Sequence, residues 1–143
     1  MRTFKAVRTP RNGSPDRSFS AMELEVQIAS QAGVGVIRCR GRVIYGEEAS
    51  ELIRAVRQLL ETSKQIVMQL AEVTQIDSGG IGALGEAFIA AHNKQAEIKL
   101  AALSPRVAEV LRITGLGQLF DRHNSETEAV EAFVRPSRAE AVL

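Results

Sequence analysis

The residues with the clearest chemical potential stand together at Asp77-Ser78-Gly79-Gly80. A hydroxyl beside a carboxylate has four possible uses: a nucleophile, part of a phosphate-binding turn, a helix cap, or an acceptor for a group that another protein attaches. A hydrolase nucleophile on a sharp turn needs Gly-x-Ser-x-Gly, and residue 76 is Ile. It also needs an imidazole. The chain has two histidines, His92 and His123. His92 falls late on the helix expected to follow, about 21 Å along the axis from Ser78 at about 1.5 Å per residue. A Walker-type phosphate loop needs Gly-Lys-Ser/Thr, and no lysine lies between Lys64 and Lys94. The run "GGIGALG" lacks the G-x-G-x-x-G spacing. With Cys39 as the only cysteine and the two histidines unclustered, no metal-ligand set is present. Two compatible readings remain. Asp77 or Ser78 caps a helix while the glycines permit a tight turn, or Ser78 is an exposed serine that another protein modifies.

The elements that must position this stretch follow from periodicity. In "MELEVQIAS", Leu24, Val26 and Ile28 alternate with Glu23, Glu25 and Gln27, which predicts a half-buried strand. Gly33 marks a turn, and "VGVIRCRG" predicts a second strand, so an antiparallel hairpin is expected. Leu52, Ile53, Val56, Leu59 and Leu60 recur at helical spacing and predict an amphipathic helix of roughly 16 residues. "KQIVMQLAEV" reads as a strand buried on both faces, and it leads into Asp77-Ser78. From Gly80 onward, Ile81, Leu84, Phe88 and Ala91 form one helical stripe. "EIKLAAL" is the next strand. "SPRVAEVLRITG" is a complete short helix, with Ser104 as N-cap, Pro105 in the first turn and Gly115 just past the end. "LGQLFDRH" reads as a last short strand, and Ser125 with Glu128 has capping-box spacing for a final helix.

The order β-β-α-β-α-β-α-β-α implies an α/β fold in a single domain. Its expected sheet is mixed, mostly parallel and about four-stranded, opened by an antiparallel hairpin and packed by about four helices. The Asp77-Ser78 turn then lies at the carboxyl end of a buried strand, where α/β folds gather functional sites. It also begins a helix, whose free N–H groups and partial positive charge are expected to welcome added negative charge on Ser78.

Composition narrows the function classes. The 143 residues are 45% hydrophobic and 24% charged, enough for one domain with a real core. Five Phe, one Tyr and no Trp leave an aliphatic core and no stacking platform for single-stranded nucleic acid. A lone cysteine excludes an internal disulfide and suits a reducing cytoplasm. No apolar run approaches the ~20 residues of a membrane span, and the N-terminus has no stretch of signal-peptide length. A soluble, cytoplasmic protein is expected, with no direct contact to nucleic acid or membrane. Residues 1–21 read as a flexible basic tail, with Arg2, Lys5, Arg8, Arg11 and Arg17 against Asp16. Since the whole chain carries only +1, the body, residues 22–135, is mildly acidic. Residues 136–143 are expected to fray.

"VTQIDSGGIGAL", "LSPRVAEVLRITGLGQLFDRHNSETEAV" and "IRCRGRVIYGEEASELIRAV" stand in the order and spacing of a known family. Together they resemble the STAS domain of anti-sigma factor antagonists over roughly residues 22–134. The resemblance implies a binding module rather than an enzyme, with no cofactor. Its implied partner is an anti-sigma factor that is also a GHKL-type serine kinase, from which a sigma factor is released. That kinase would phosphorylate Ser78, and a serine phosphatase would reverse it. The implied docking surface comprises Tyr45, Gly46, Asp77, Ser78, Gly79, Gly80, Ile81 and Glu86, on a monomer or weak dimer. Two positions depart from the family pattern. Ile44 stands where an acid is common, and Gly79 where Ser, Thr or Ala is common. The alternative implied by the same resemblance is a STAS scaffold or accessory subunit of a stressosome or a lipid-transport ABC ATPase.

Overall fold

A glycine and an alanine of unusual conformation set the first hairpin. Ala32 and Gly33 both have positive φ, 53° and 82°, as a two-residue type I′ turn requires. They join β2 (Leu24–Gln31) to β3 (Val34–Val43), with Gln31 opposite Val34. The computed structural model describes residues 23–135 and the backbone of a short strand, β1 (Phe4–Ala6). After the hairpin come α1 (Glu47–Leu60), β4 (Gln65–Ile76), α2 (Ser78–Asn93), β5 (Glu97–Ala101), α3 (Pro105–Thr114), β6 (Asp121–His123) and α4 (Glu126–Val134). The sheet runs β1-β2-β3-β4-β5-β6. The first two pairs are antiparallel and the other three parallel.

The α/β class, the opening hairpin and the four helices match the sequence reading. The strand count differs: the sheet has six strands where about four were expected. The strand absent from the sequence order is β1, which pairs at the edge beside β2. β1 is three residues long, too short for alternation to register. β1 lies within the segment read as a flexible tail; the rest of that tail and the C-terminal residues 136–143 lie outside the described residues.

The two sheet faces are covered unequally. α1, α2 and α3 share one face over an aliphatic cluster that includes Ile37, Leu52, Val56, Met68, Leu84, Leu100 and Leu111. Among the described residues, α4 alone covers part of the other, placing Ala129 and Val130 on Val36, Val67 and Ala101. It is anchored by a two-pronged ion pair, Arg38 Nε and Nη2 to Glu126 at 2.9 and 2.8 Å. Lys99, buried beneath α4, bonds Asp121 at 2.9 Å and Glu97 at 3.2 Å, with its ammonium 4.7 Å from the Phe133 ring. β4 is therefore buried on both faces only through Leu70. Beyond that point Glu72, Thr74 and Gln75 face solvent, because α4 does not reach so far. The segment read as a last strand is divided: Leu116–Leu119 forms a 3-10 turn after Gly115, which is left-handed at φ 76°, and only Asp121–His123 pairs with the sheet.

Three contacts fix the corner where β3 enters α1. Glu23 donates its N–H to the buried carboxylate of Glu48 at 2.9 Å. Its carbonyl accepts from Arg42 N at 2.8 Å. Gly41, at φ 114°, allows that approach, since a Cβ there would stand 2.2 Å from the Glu23 oxygen. At the neighbouring strand end, Asp77 N donates to Val43 O at 3.4 Å. The β3–α1 loop and the start of α2 thus come side by side.

Candidate functional site

Asp77 is the cap. Its backbone is extended, and its Oδ1 accepts from Gly79 N at 2.9 Å and Gly80 N at 3.1 Å. The same carboxylate accepts from Tyr45 N, at 3.0 Å to Oδ1 and 3.2 Å to Oδ2. One side chain therefore ties the first turn of α2 to the β3–α1 loop. Partial desolvation opposes the charge on Asp77, but the N–H donors of Tyr45, Gly80 and Gly79 outweigh it and hold the carboxyl below its ordinary range.

Ser78 is the first residue of α2 and is exposed. Among the described residues its hydroxyl makes no hydrogen bond. No imidazole serves it, since His92 lies in the last turn of α2 and His123 on the edge strand β6. The sequence reading expected the helix start to welcome added charge on Ser78. In the structure Asp77 takes the Gly79 and Gly80 N–H groups and sets its own negative charge beside the serine.

The two glycines that follow have separate causes. A Cβ on Gly80 would meet Val43 O at 2.1 Å and Ile76 Cγ1 at 2.8 Å, so Gly80 lets the helix start press against the sheet. A Cβ on Gly79 would stand 2.5 Å from Tyr45 Cα and 2.6 Å from Tyr45 Cβ, so Gly79 makes room for the loop. This is the physical reason that Ser, Thr or Ala is absent here. Ile44, where an acid was expected from the resemblance, is half-buried, and its carbonyl accepts from Ala49 N at 3.0 Å.

A shallow groove of about 510 Å³ runs between α1 and α2 beside this turn. Tyr45, Gly46, Ala49, Ser50 and Ile53 form one wall, and Gly79, Gly82, Ala83 and Glu86 the other. Tyr45 is 82% exposed. Glu86 is bridged to Arg57 of α1 at 2.8 Å. Of the residues expected to form a docking surface, Tyr45, Gly46, Gly79 and Glu86 line this groove; Ser78 precedes Gly79 in the chain and does not itself line it. Asp77 stands behind them as the clasp. Gly80 is buried and Ile81 packs against the core, so both support the surface from beneath. Ala49, Ser50, Ile53, Gly82 and Ala83 were not anticipated. For the α1 residues the signal was the 46-49-50-53 spacing along the flank of the buried stripe, which places them on one face.

Among the described residues there is no group of His, Cys, Asp and Glu arranged to hold a metal, and no helix is long and apolar enough to cross a membrane. Burial pushes the Cys39 thiol up to about 12, so it is not a reactive group.

Known proteins share this fold. The family model described as the STAS domain matches residues 25–129. An anti-sigma-B factor antagonist of Listeria monocytogenes is 31% identical over 78 residues, which is 53% of this chain and 68% of that protein. Among solved structures, the anti-sigma factor antagonist SpoIIAA in its unphosphorylated form superposes with a TM-score of 0.66 at 18% identity, covering 79% of this chain and 99% of that one. An anti-sigma factor antagonist (STAS) domain protein from Planctomyces limnophilus does so with a TM-score of 0.66 at 20% identity, covering 76% and 97%.

Proposed function

Because the chain belongs to the STAS domain family, we propose that it is an anti-sigma factor antagonist, active in the cytoplasm and switched by phosphorylation of Ser78. Its partner is an anti-sigma factor of the GHKL-type serine kinase class, and a serine phosphatase restores the binding form. The single observation that carries this reading is the division of labour at the turn. Asp77 does the capping, which leaves the neighbouring Ser78 hydroxyl exposed and, among the described residues, unbonded, next to Gly79 of the groove wall.

The chemistry is phosphoryl transfer from ATP. A bond forms from Ser78 Oγ to the γ-phosphorus while the bond from that phosphorus to the bridging oxygen of ADP breaks. The hydroxyl proton must go to a base. Asp77 is unsuited to that role, because its oxygens are occupied by three N–H donors that hold its acidity low. The kinase therefore supplies the base.

The switch follows from charge. A phosphoserine adds about −1.5 to −2 charges at neutral pH. Here the Gly79 and Gly80 N–H groups are already engaged by Asp77, so the phosphate cannot draw on them without displacing the cap. A partner seated on the groove would have to bury it beside the Asp77 carboxylate. Each ~1.4 kcal/mol of such cost lowers affinity tenfold, and an uncompensated buried charge costs more than that.

The test is incubation with ATP and each GHKL-type anti-sigma kinase of the same genome, followed by peptide mapping. One phosphate on Ser78, absent in Ser78→Ala, is the expected result. Failure of every such kinase to modify the chain contradicts the proposal.

A further inference from the structure

Four glycines lie in the first eight residues of α2, and the structure separates them. Gly82 and Gly85 have no atom within 4 Å of a Cβ built on them. Gly80 is pinned by the carbonyl of Val43 and the side chain of Ile76, both parts of the fold itself. Gly79 alone is crowded by a surface loop: the three atoms nearest its Cβ position, at 2.5, 2.6 and 2.8 Å, all belong to Tyr45. In helical backbone alanine is preferred to glycine. Glycine at 79 therefore serves the seating of Tyr45 and not the helix.

That seating has a second fastening. Tyr45 N donates to the Asp77 carboxylate at 3.0 Å, and the same oxygen caps α2. The backbone of Tyr45 is held from below by Gly79 and from the side by Asp77, while the residue as a whole remains 82% exposed on the wall of the groove. An exposed ring on a fixed backbone loses little freedom when a partner covers it, which is the condition for an aromatic anchor.

We propose that Gly79 is the specificity-determining position of this surface: its missing side chain seats Tyr45 on the start of α2, so that the Tyr45 ring and the Ser78 hydroxyl are presented to the partner as one composite element. Any side chain at 79 lifts the loop, breaks the bond from Tyr45 N to Asp77 and separates the two features. The partner is the anti-sigma kinase of the preceding section, and in that respect the inference rests on that reading.

The chain offers its own probe, because Tyr45 is its single tyrosine and it has no tryptophan. Fluorotyrosine incorporated at Tyr45 gives one 19F resonance, and amide exchange at Tyr45 reports the bond to Asp77. Gly79→Ala and Gly79→Ser are expected to melt within a few degrees of the parent, to shift the 19F resonance and to speed Tyr45 amide exchange at least tenfold. Their affinity for the kinase that modifies Ser78 should fall at least tenfold. Unchanged exchange in both variants overturns the seating role. Faster exchange with unchanged affinity overturns the specificity role. Should the position 79 variants not fold, Tyr45→Ala decides, since an affinity within twofold of the parent leaves no composite element to assemble. If no kinase of the class binds the parent protein, the antagonist reading fails, and the exchange measurement still decides whether Gly79 holds Tyr45.

Discussion

Asp77 and Ser78 are adjacent polar residues at one helix start, and the structure gives them opposite consequences on truncation. Asp77→Ala removes the acceptor for Gly79 N, Gly80 N and Tyr45 N. Loss of an N-cap costs about 0.5–2 kcal/mol, typically about 1. The Tyr45 N–H is exposed and turns to water, so it adds little. For a domain of this size, 1 kcal/mol corresponds to about 3–4 °C in melting temperature. Ser78→Ala removes a hydroxyl that bonds nothing among the described residues, and it is expected to change stability by less than about 0.5 kcal/mol. Asp77→Asn keeps an oxygen acceptor and should fall between the two, since Asn caps about as well as Asp. Acid titration adds a sign. Because the folded-state pKa of Asp77 is lowered, its charge contributes stability above its ordinary value of about 3.9, and this is lost as pH falls through the lower folded value. The gap between parent and Asp77→Asn should therefore close below about pH 4. The assay is urea denaturation of the four proteins at neutral and acid pH. Equal destabilisation by Asp77→Ala and Ser78→Ala would refute the division of roles, as would no loss from Asp77→Ala.

Other sites give independent expectations. Gly85→Ala, in the open interior of α2 with nothing near its Cβ, should stabilise the protein by roughly 0.5–1 kcal/mol, read as a rise in melting temperature. Glu126→Gln weakens the pair that anchors α4 and should cost about 1–3 kcal/mol at neutral pH. The hydrogen bond from Arg38 is the main reason that the Glu126 carboxyl is held below its ordinary range. The stability it confers is present above about pH 4.3 and lost as pH falls through the lower folded value, so parent and variant should converge in acid. Cys39, with its thiol pushed up to about 12, should resist a thiol reagent at pH 8 in the native protein and react on unfolding in urea.

The sequence carried most of this fold because its signals were local. Ser104, Pro105 and Gly115 bracket α3 where the caps were read, and the stripe Ile81, Leu84, Phe88, Ala91 predicts the face that α2 turns inward. What escaped was set by distant partners. β1 pairs with β2 through backbone bonds that leave no mark in three residues. The outer half of β4 is exposed because α4 stops short of it, and nothing within "QLAEV" records that. At the turn, the residues were legible and their roles were not. Whether Asp77 or Ser78 caps α2 depends on backbone geometry, and the use of Gly79 depends on Tyr45, 34 positions earlier in the chain. The groove wall of α1 was readable in principle from helical spacing, but polar and small residues on an outer face look the same with or without a partner.

The most direct measurement is a calorimetric titration of the anti-sigma kinase with two forms of this chain, unmodified and carrying phosphate on Ser78 alone, with their melting curves recorded alongside. The account predicts melting temperatures within a few degrees of each other and an affinity at least tenfold weaker for the phosphorylated form. Equal affinity of the two forms would contradict it, and so would a loss of binding that merely follows unfolding of the phosphorylated protein.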